Sequence, residues 1–164
     1  MIRLAVTDAN IFIDLIILGL VEHLFGLEIG IHTTQEVFDQ LTVLQKESLA
    51  VFVDKGVLTV YAFTADELVE IGGLDFPAGL EPTDRTVFYY ANQMGCLVIS
   101  GDNKLRKFFE QKGLEVHGLI WVFDQIVELQ LIPRNIAVEK LEKLITYNDR
   151  LPLEEIMKRI RKWR

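Results

Sequence analysis

The sequence predicts an α/β domain: a central, mainly parallel, twisted five-stranded sheet, followed by a helical C-terminal extension. Three observations carry this. Five short β-branched or apolar runs alternate with longer stretches of helical periodicity. That alternation implies parallel pairing through right-handed crossovers. Gly56, Gly95 and Gly113 close helical stretches just before an apolar run resumes.

In order, Leu4 to Thr7 reads as the first strand and Ile11 to Phe25 as a helix. Leu27 to His32 is the second strand. Thr33-Thr34-Gln35-Glu36 has the form of a capping box, opening a helix that runs to Val53 or Asp54. Val57 to Phe63, β-branched and aromatic, is the third strand. Thr64 to Ile71 is a short helix ended by Gly72-Gly73, and Leu74 to Pro82, with two prolines and a glycine, is the longest loop. A helix spans Thr83 to Met94. Cys96 to Ser100, continuously apolar until its end, is a fourth strand suited to burial on both faces. Asn103 to Lys112 is helical, and Leu114 to His117 is the fifth strand. Helices follow over Leu119–Leu131, Arg134–Tyr147 and Leu153–Trp163. The organisation is one domain over residues 1–132, with residues 133–164 as a helical extension packed on it.

Composition sets outer limits. At 164 residues, half of them hydrophobic, the chain can bury an ordinary core. The most apolar stretch, Ile11 to Leu20, is interrupted by Asp14 and too short to span a bilayer. Met1-Ile2-Arg3-Leu4 has no polybasic start followed by a cleavage site, and the lone Cys96 has no disulfide partner within the chain. A reducing cytoplasm is the expected location. The net charge of −7 argues against nonspecific coating of nucleic acid. From Pro152 to Arg164, however, five basic and two acidic residues leave +3, against −10 for the remainder. Two different surfaces are implied.

Asp8, Glu36, Asp84 and Asp102 each sit where an apolar strand gives way to a helix, or in that helix's first turn. In an open α/β sheet such junctions share one edge, so they can meet. Each also has a plainer explanation. Asp8 and Asp102 can cap the helices that follow, Glu36 can complete the capping box of Thr33, and Asp84 can be a first-turn anion after Pro82. Capping, however, is served equally by Ser, Thr or Asn, and here an acid stands at all four junctions. Converging carboxylates repel unless they take up protons or a divalent metal, and an oxygen-rich site favours Mg2+ or Mn2+ over Zn2+. His23, His32 and His117 share no close spacing, which speaks against zinc.

Thr7-Asp8-Ala9-Asn10, followed by Ile-Phe-Ile-Asp-Leu, resembles the opening of a PIN domain, the PilT N-terminal nuclease fold. Glu36 in Thr34-Gln35-Glu36-Val37, Asp84 in Pro82-Thr83-Asp84-Arg85, and Asp102 in Ser100-Gly101-Asp102-Asn103 resemble its next three acidic positions, in order, over about residues 1 to 130. The resemblance implies a three-layer α/β/α fold and a metal-dependent endoribonuclease, in particular one like the VapC toxins of toxin–antitoxin pairs. Asp8, Asp84 and Asp102 would hold Mg2+ or Mn2+, with Glu36 a ligand directly or through water. A metal-activated water would attack RNA in line and leave a 5′-phosphate and a 3′-hydroxyl. Asn10 and Ser100 are candidates for orienting the carboxylates or that water. The resemblance further implies an RNA substrate, an antitoxin protein partner and a homodimer, with no membrane partner. The alternative is a PIN-like module that binds RNA or protein without cutting.

Arg85, Lys104, Arg106 and Lys107, close in sequence to the acids, are candidates for phosphate contacts; a solvated helix face accounts for them equally. Trp163 can stack on a base or pack in the core, and Phe88-Tyr89-Tyr90 and Phe108-Phe109 read as core. Other enzyme classes fit less well. A haloacid dehalogenase-type phosphatase needs an acid where Asn10 stands. Neither a GxGxxG nor a GxxxxGK[ST] motif occurs, and no nucleophile elbow is present.

Overall fold

In the computed structural model, which describes residues 3–164, five strands form the sheet: β1 (Arg3–Thr7), β2 (Ile29–Thr34), β3 (Leu58–Tyr61), β4 (Leu97–Ile99) and β5 (Val116–His117). All pairings are parallel, in the spatial order β3-β2-β1-β4-β5. β3, β4 and β5 are shorter than their apolar runs, β1 starts one residue earlier at Arg3, and β2 is shifted two residues toward Thr34. The chain winds outward from β1 to β3, then crosses back to lay β4 on the opposite flank of β1. Such a reversal opens a crevice at the carboxyl ends of the two strands that flank it. There the register pairs Ala5 with Leu97 and Thr7 with Ile99. The Asp8 N–H extends the ladder by donating to the Ile99 carbonyl at 3.2 Å.

Helices α1 (Ala9–Leu18), α2 (Val21–Phe25), α3 (Gln35–Asp39), α4 (Val43–Asp54), α5 (Ala65–Gly72), α6 (Pro82–Met94), α7 (Asn103–Gln111), α8 (Leu119–Glu128), α9 (Arg134–Tyr147) and α10 (Leu153–Trp163) cover the sheet and complete a three-layer α/β/α fold. α6 lies across β1, β2 and β4, and α3 and α5 pack on it; α1, α2, α8 and α9 pack on one another. Phe88 of α6 meets Phe108 and Phe109 of α7, with centroids 5.1 and 5.6 Å apart, so the two helices that begin at the crevice share one aromatic core.

Two expected helices are each broken in two. Gly19 stands in the left-handed region at φ 69°, where its N–H bonds to the Ile16 carbonyl and that of Leu20 to the Leu15 carbonyl. This pattern ends α1 and lets buried Leu20 turn into α2. The stretch from Thr33 to Asp54 departs further. β2 continues through Thr34, because Thr33 pairs with Val60 and Thr34 with Tyr61. Thr33 therefore caps nothing; its hydroxyl donates to the Thr7 carbonyl at 2.8 Å. Thr34 is the cap, accepting from the Val37 N–H. The capping box belongs to Thr42 and Gln45, which start α4. The capping explanation of Glu36 is thereby removed: long-range strand pairing outcompetes the local motif.

α9 buries Ala137, Val138, Leu141 and Leu144 and packs on α1 and α8, while α10 packs on α9 through Ile156, Ile160 and Trp163. Trp163 is thus a packing residue. Among the described residues no helix is long and apolar enough to cross a membrane.

Candidate metal and active site

A cleft of about 610 Å3 opens at the β1/β4 crevice, and Asp8, Asp84 and Asp102 all line it. Each is delivered by a helix start. Asp8 caps α1, its Oδ1 accepting from the Ile11 N–H at 3.2 Å. Asp102 caps α7, its Oδ1 accepting from the N–H groups of Lys104 and Leu105 at 2.8 and 3.1 Å. Asp84 stands in the first turn of α6, its Oδ2 accepting from the Glu81 N–H at 3.1 Å. Capping and ligation are compatible here, because each helix uses one carboxylate oxygen. Asp84 Oδ1 and Asp102 Oδ2 have no hydrogen-bond donor among the described residues.

Ser100 ties the acids together. Its hydroxyl donates to Asp8 Oδ2 at 2.5 Å and accepts from the Asp102 N–H at 3.2 Å. Asp8 and Ser100 are both buried. Burial pushes the Asp8 carboxyl up to about 6; the bonds from Ser100 and Ile11 oppose the rise, and the charges of Asp84 and Asp102 add to it. Burial likewise raises Asp84, offset by the Glu81 N–H and reinforced by Asp102 and Glu81. The three carboxylates therefore feel one another.

Glu36 is not brought into this group. It does not line the cleft. Burial raises its carboxyl, and the neighbouring charge that adds to the rise is Asp39. Its Oε1 is buried without a hydrogen-bond partner among the described residues. Among those residues, no three His, Cys, Asp or Glu side chains are gathered closely enough to form a ready metal cage. The donor chemistry of Asp8, Asp84 and Asp102 nevertheless suits a hard divalent cation: all oxygen, mutually repelling, with two oxygens uncommitted.

The other expected residues divide. Asn10, exposed on the first turn of α1, lines the cleft, as does Lys104. Arg85 does not. Its Nε donates to the Leu80 carbonyl at 3.2 Å and its guanidinium lies 5.2 Å from the centre of the Phe76 ring, so it pins the loop before α6. Arg106 faces an adjoining cleft, and exposed Lys107 lines neither. Sequence reasoning missed Gln40, whose Nε2 donates to Thr83 Oγ1 at 2.9 Å across the cleft wall, and Arg150, which enters from the turn between α9 and α10. The basic C-terminal segment was a signal for Arg150, but the run counted from Pro152 begins just past it.

A family model described as "DUF3368: PIN domain" matches residues 4–164, thus including α9 and α10. No curated protein matches the chain.

Proposed function

The chain belongs to the PIN domain family, whose members are generally nucleases that use divalent metals, and from that premise we propose that it is a metal-dependent endoribonuclease. The observation that supports this most is the meeting of Asp8, Asp84 and Asp102 in one cleft at the crevice between β1 and β4. These three residues would hold Mg2+ or Mn2+, with Glu36, which does not line the cleft, a ligand through water. Held by Asp8, Asp84 and Asp102, such an ion would activate a water and offset charge on the phosphate and leaving oxygen. The chain's own residues prepare the site. Ser100 and the Ile11 N–H fix the plane of the Asp8 carboxylate. The N-termini of α1, α6 and α7 direct their dipoles toward the cleft and favour anions there. Lys104 adds a cation beside Asp102.

The toxin role, an antitoxin protein partner, a homodimer and a cytoplasmic location complete the proposed reading. Exposed apolar side chains on α4 and α5, among them Val43, Leu44 and Val69, provide surface for association.

The test incubates purified protein with structured and unstructured RNAs, with Mn2+ or with chelator, beside Asp8→Asn and Asp102→Asn. Cleavage is expected only with metal, leaving 5′-phosphate ends, and is abolished in both variants. Cleavage that survives chelator or both substitutions rejects the assignment. Unchanged RNA binding with no cleavage in any metal selects the non-catalytic alternative.

A further inference from the structure

A second cleft, of about 250 Å3, opens beside the first and shares Gly101, Asn103 and Arg150 with it. Arg106 lines it from α7, one turn beyond Asp102; its Nε is buried without a hydrogen-bond partner among the described residues, with Glu110 Oε1 at the edge of ion-pairing range, 4.0 Å away. The backbone makes room for this guanidinium. Gly118 adopts ordinary extended angles, φ −107° and ψ −170°, that any residue tolerates. A Cβ there would stand 3.3 Å from an Arg106 terminal nitrogen. The glycine thus serves space rather than backbone freedom.

Arg150 comes from the turn between α9 and α10, where its backbone is anchored. Asn148 donates from Nδ2 to Asp14 of α1 at 3.1 Å and accepts the Arg150 N–H on Oδ1 at 3.1 Å, which ties the turn between α9 and α10 to the main domain. Its guanidinium has no carboxylate within ion-pairing distance among the described residues. Arg159, in the same cleft, is different: Asp124 and Glu155 both hold it at 2.8 Å, so it is a wall and not a free cation. Trp121, with His117 stacked on it at 4.3 Å, completes the lining.

We propose that this second cleft is the subsite for the nucleotide next to the scissile bond, with Arg106 and Arg150 gripping its phosphate and Trp121 forming the wall beside its base. This deepens the ribonuclease reading and rests on it for the position of the scissile bond. Two arginines match a phosphate better than lysines because the planar guanidinium forks across two oxygens. The acids of the first cleft repel a polyanion, so binding needs cations immediately outside it. Arg106 and Arg150 are positioning residues, and the C-terminal extension supplies one of them.

The experiment measures binding of a short labelled single-stranded RNA to the full chain in chelator and across a salt series, and its cleavage with Mn2+. The variants are Arg106→Ala, Arg150→Ala, Arg150→Lys and, as a remote control, Lys46→Ala. Each alanine variant is expected to weaken binding about tenfold. Each should also lower the slope of log affinity against log salt by about 0.7, and raise KM with little change in kcat. Arg150→Lys restores the salt slope but only part of the affinity, and Mn2+ still raises the melting temperature of every variant as it does for the parent. Since Arg150 is exposed, its variant keeps the test valid even where Arg106→Ala fails to fold. Parental affinity and salt slope in Arg150→Ala overturn the subsite while leaving the nuclease reading intact. Absence of cleavage in the parent, with RNA affinity still lost in both arginine variants, rejects catalysis and keeps the phosphate grip. A parent that binds no RNA overturns the grip outright.

Discussion

Ser100 donates to the buried carboxylate of Asp8 across 92 positions of sequence, at 2.5 Å, while accepting the backbone N–H of Asp102. One hydroxyl thereby joins the end of β1 to the start of α7 and sets two acids of the cleft against each other. The consequences can be measured.

Asp8 carries its charge at a cost to stability. Its carboxyl rises from 3.8 to about 6 on folding, so between those values the folded state holds a proton that the unfolded state has lost. Stability therefore falls as pH climbs from about 4 to 6, and the penalty, about 3 kcal/mol from the shift, is complete above that range. Asp8→Asn keeps an oxygen to cap α1 and removes the charge. It is expected to be more stable than the parent by about 1–3 kcal/mol at pH 7.5 without metal, and nearly equal to it below pH 4, in urea unfolding.

Divalent metal should reverse the penalty. A cation bound to the folded state adds about 2.7 kcal/mol when present at a hundred times its Kd. Protons compete at Asp8, so the Mn2+-induced rise in melting temperature is expected to be large at pH 7.5 and small at pH 5. Asp84→Asn and Asp102→Asn should each diminish it. A rise of equal size at both pH values would falsify the role of Asp8 as a ligand.

Ser100→Ala removes the donor that favours ionised Asp8, so the Asp8 carboxyl climbs further. The acidic limb of the pH profile for Mn2+-dependent cleavage is expected to move to higher pH. An unmoved limb with reduced stability would reduce Ser100 to a packing role.

Trp163 is 7% exposed against α9. Trp163→Ala should cost about 3–5 kcal/mol of stability, as large-to-small core changes do, without altering RNA affinity at temperatures where the variant is folded. Selective loss of RNA affinity would instead make it a base platform.

Much of this site was legible because its acids lie at strand-to-helix junctions, and those junctions are written locally in apolar runs and in helix starts. Asp8, Asp84 and Asp102 each keep one oxygen on a helix N-terminus, so their positions can be read from local helix-start signals. The basic side chains were less legible. Arg85 neighbours Asp84 in sequence yet turns to Leu80 and Phe76, whereas Arg150, distant from every motif, lines the cleft. Long cationic side chains settle wherever acceptors, aromatic faces or open space meet them, and none of these is a property of near neighbours in sequence.

Local signals already specify the α/β class, the five apolar runs that become strands, and the placement of Asp8, Asp84 and Asp102 at helix starts, since periodicity and capping depend on near neighbours. Contacts between distant segments settle that Thr34 and not Thr33 caps α3, that Glu36 does not line the cleft of the three aspartates, and that Arg106 and Arg150 line one cleft. Those outcomes hinge on pairing register between β2 and β3 and on packing α9 and α10 against the domain, where distant contacts outweigh local preference.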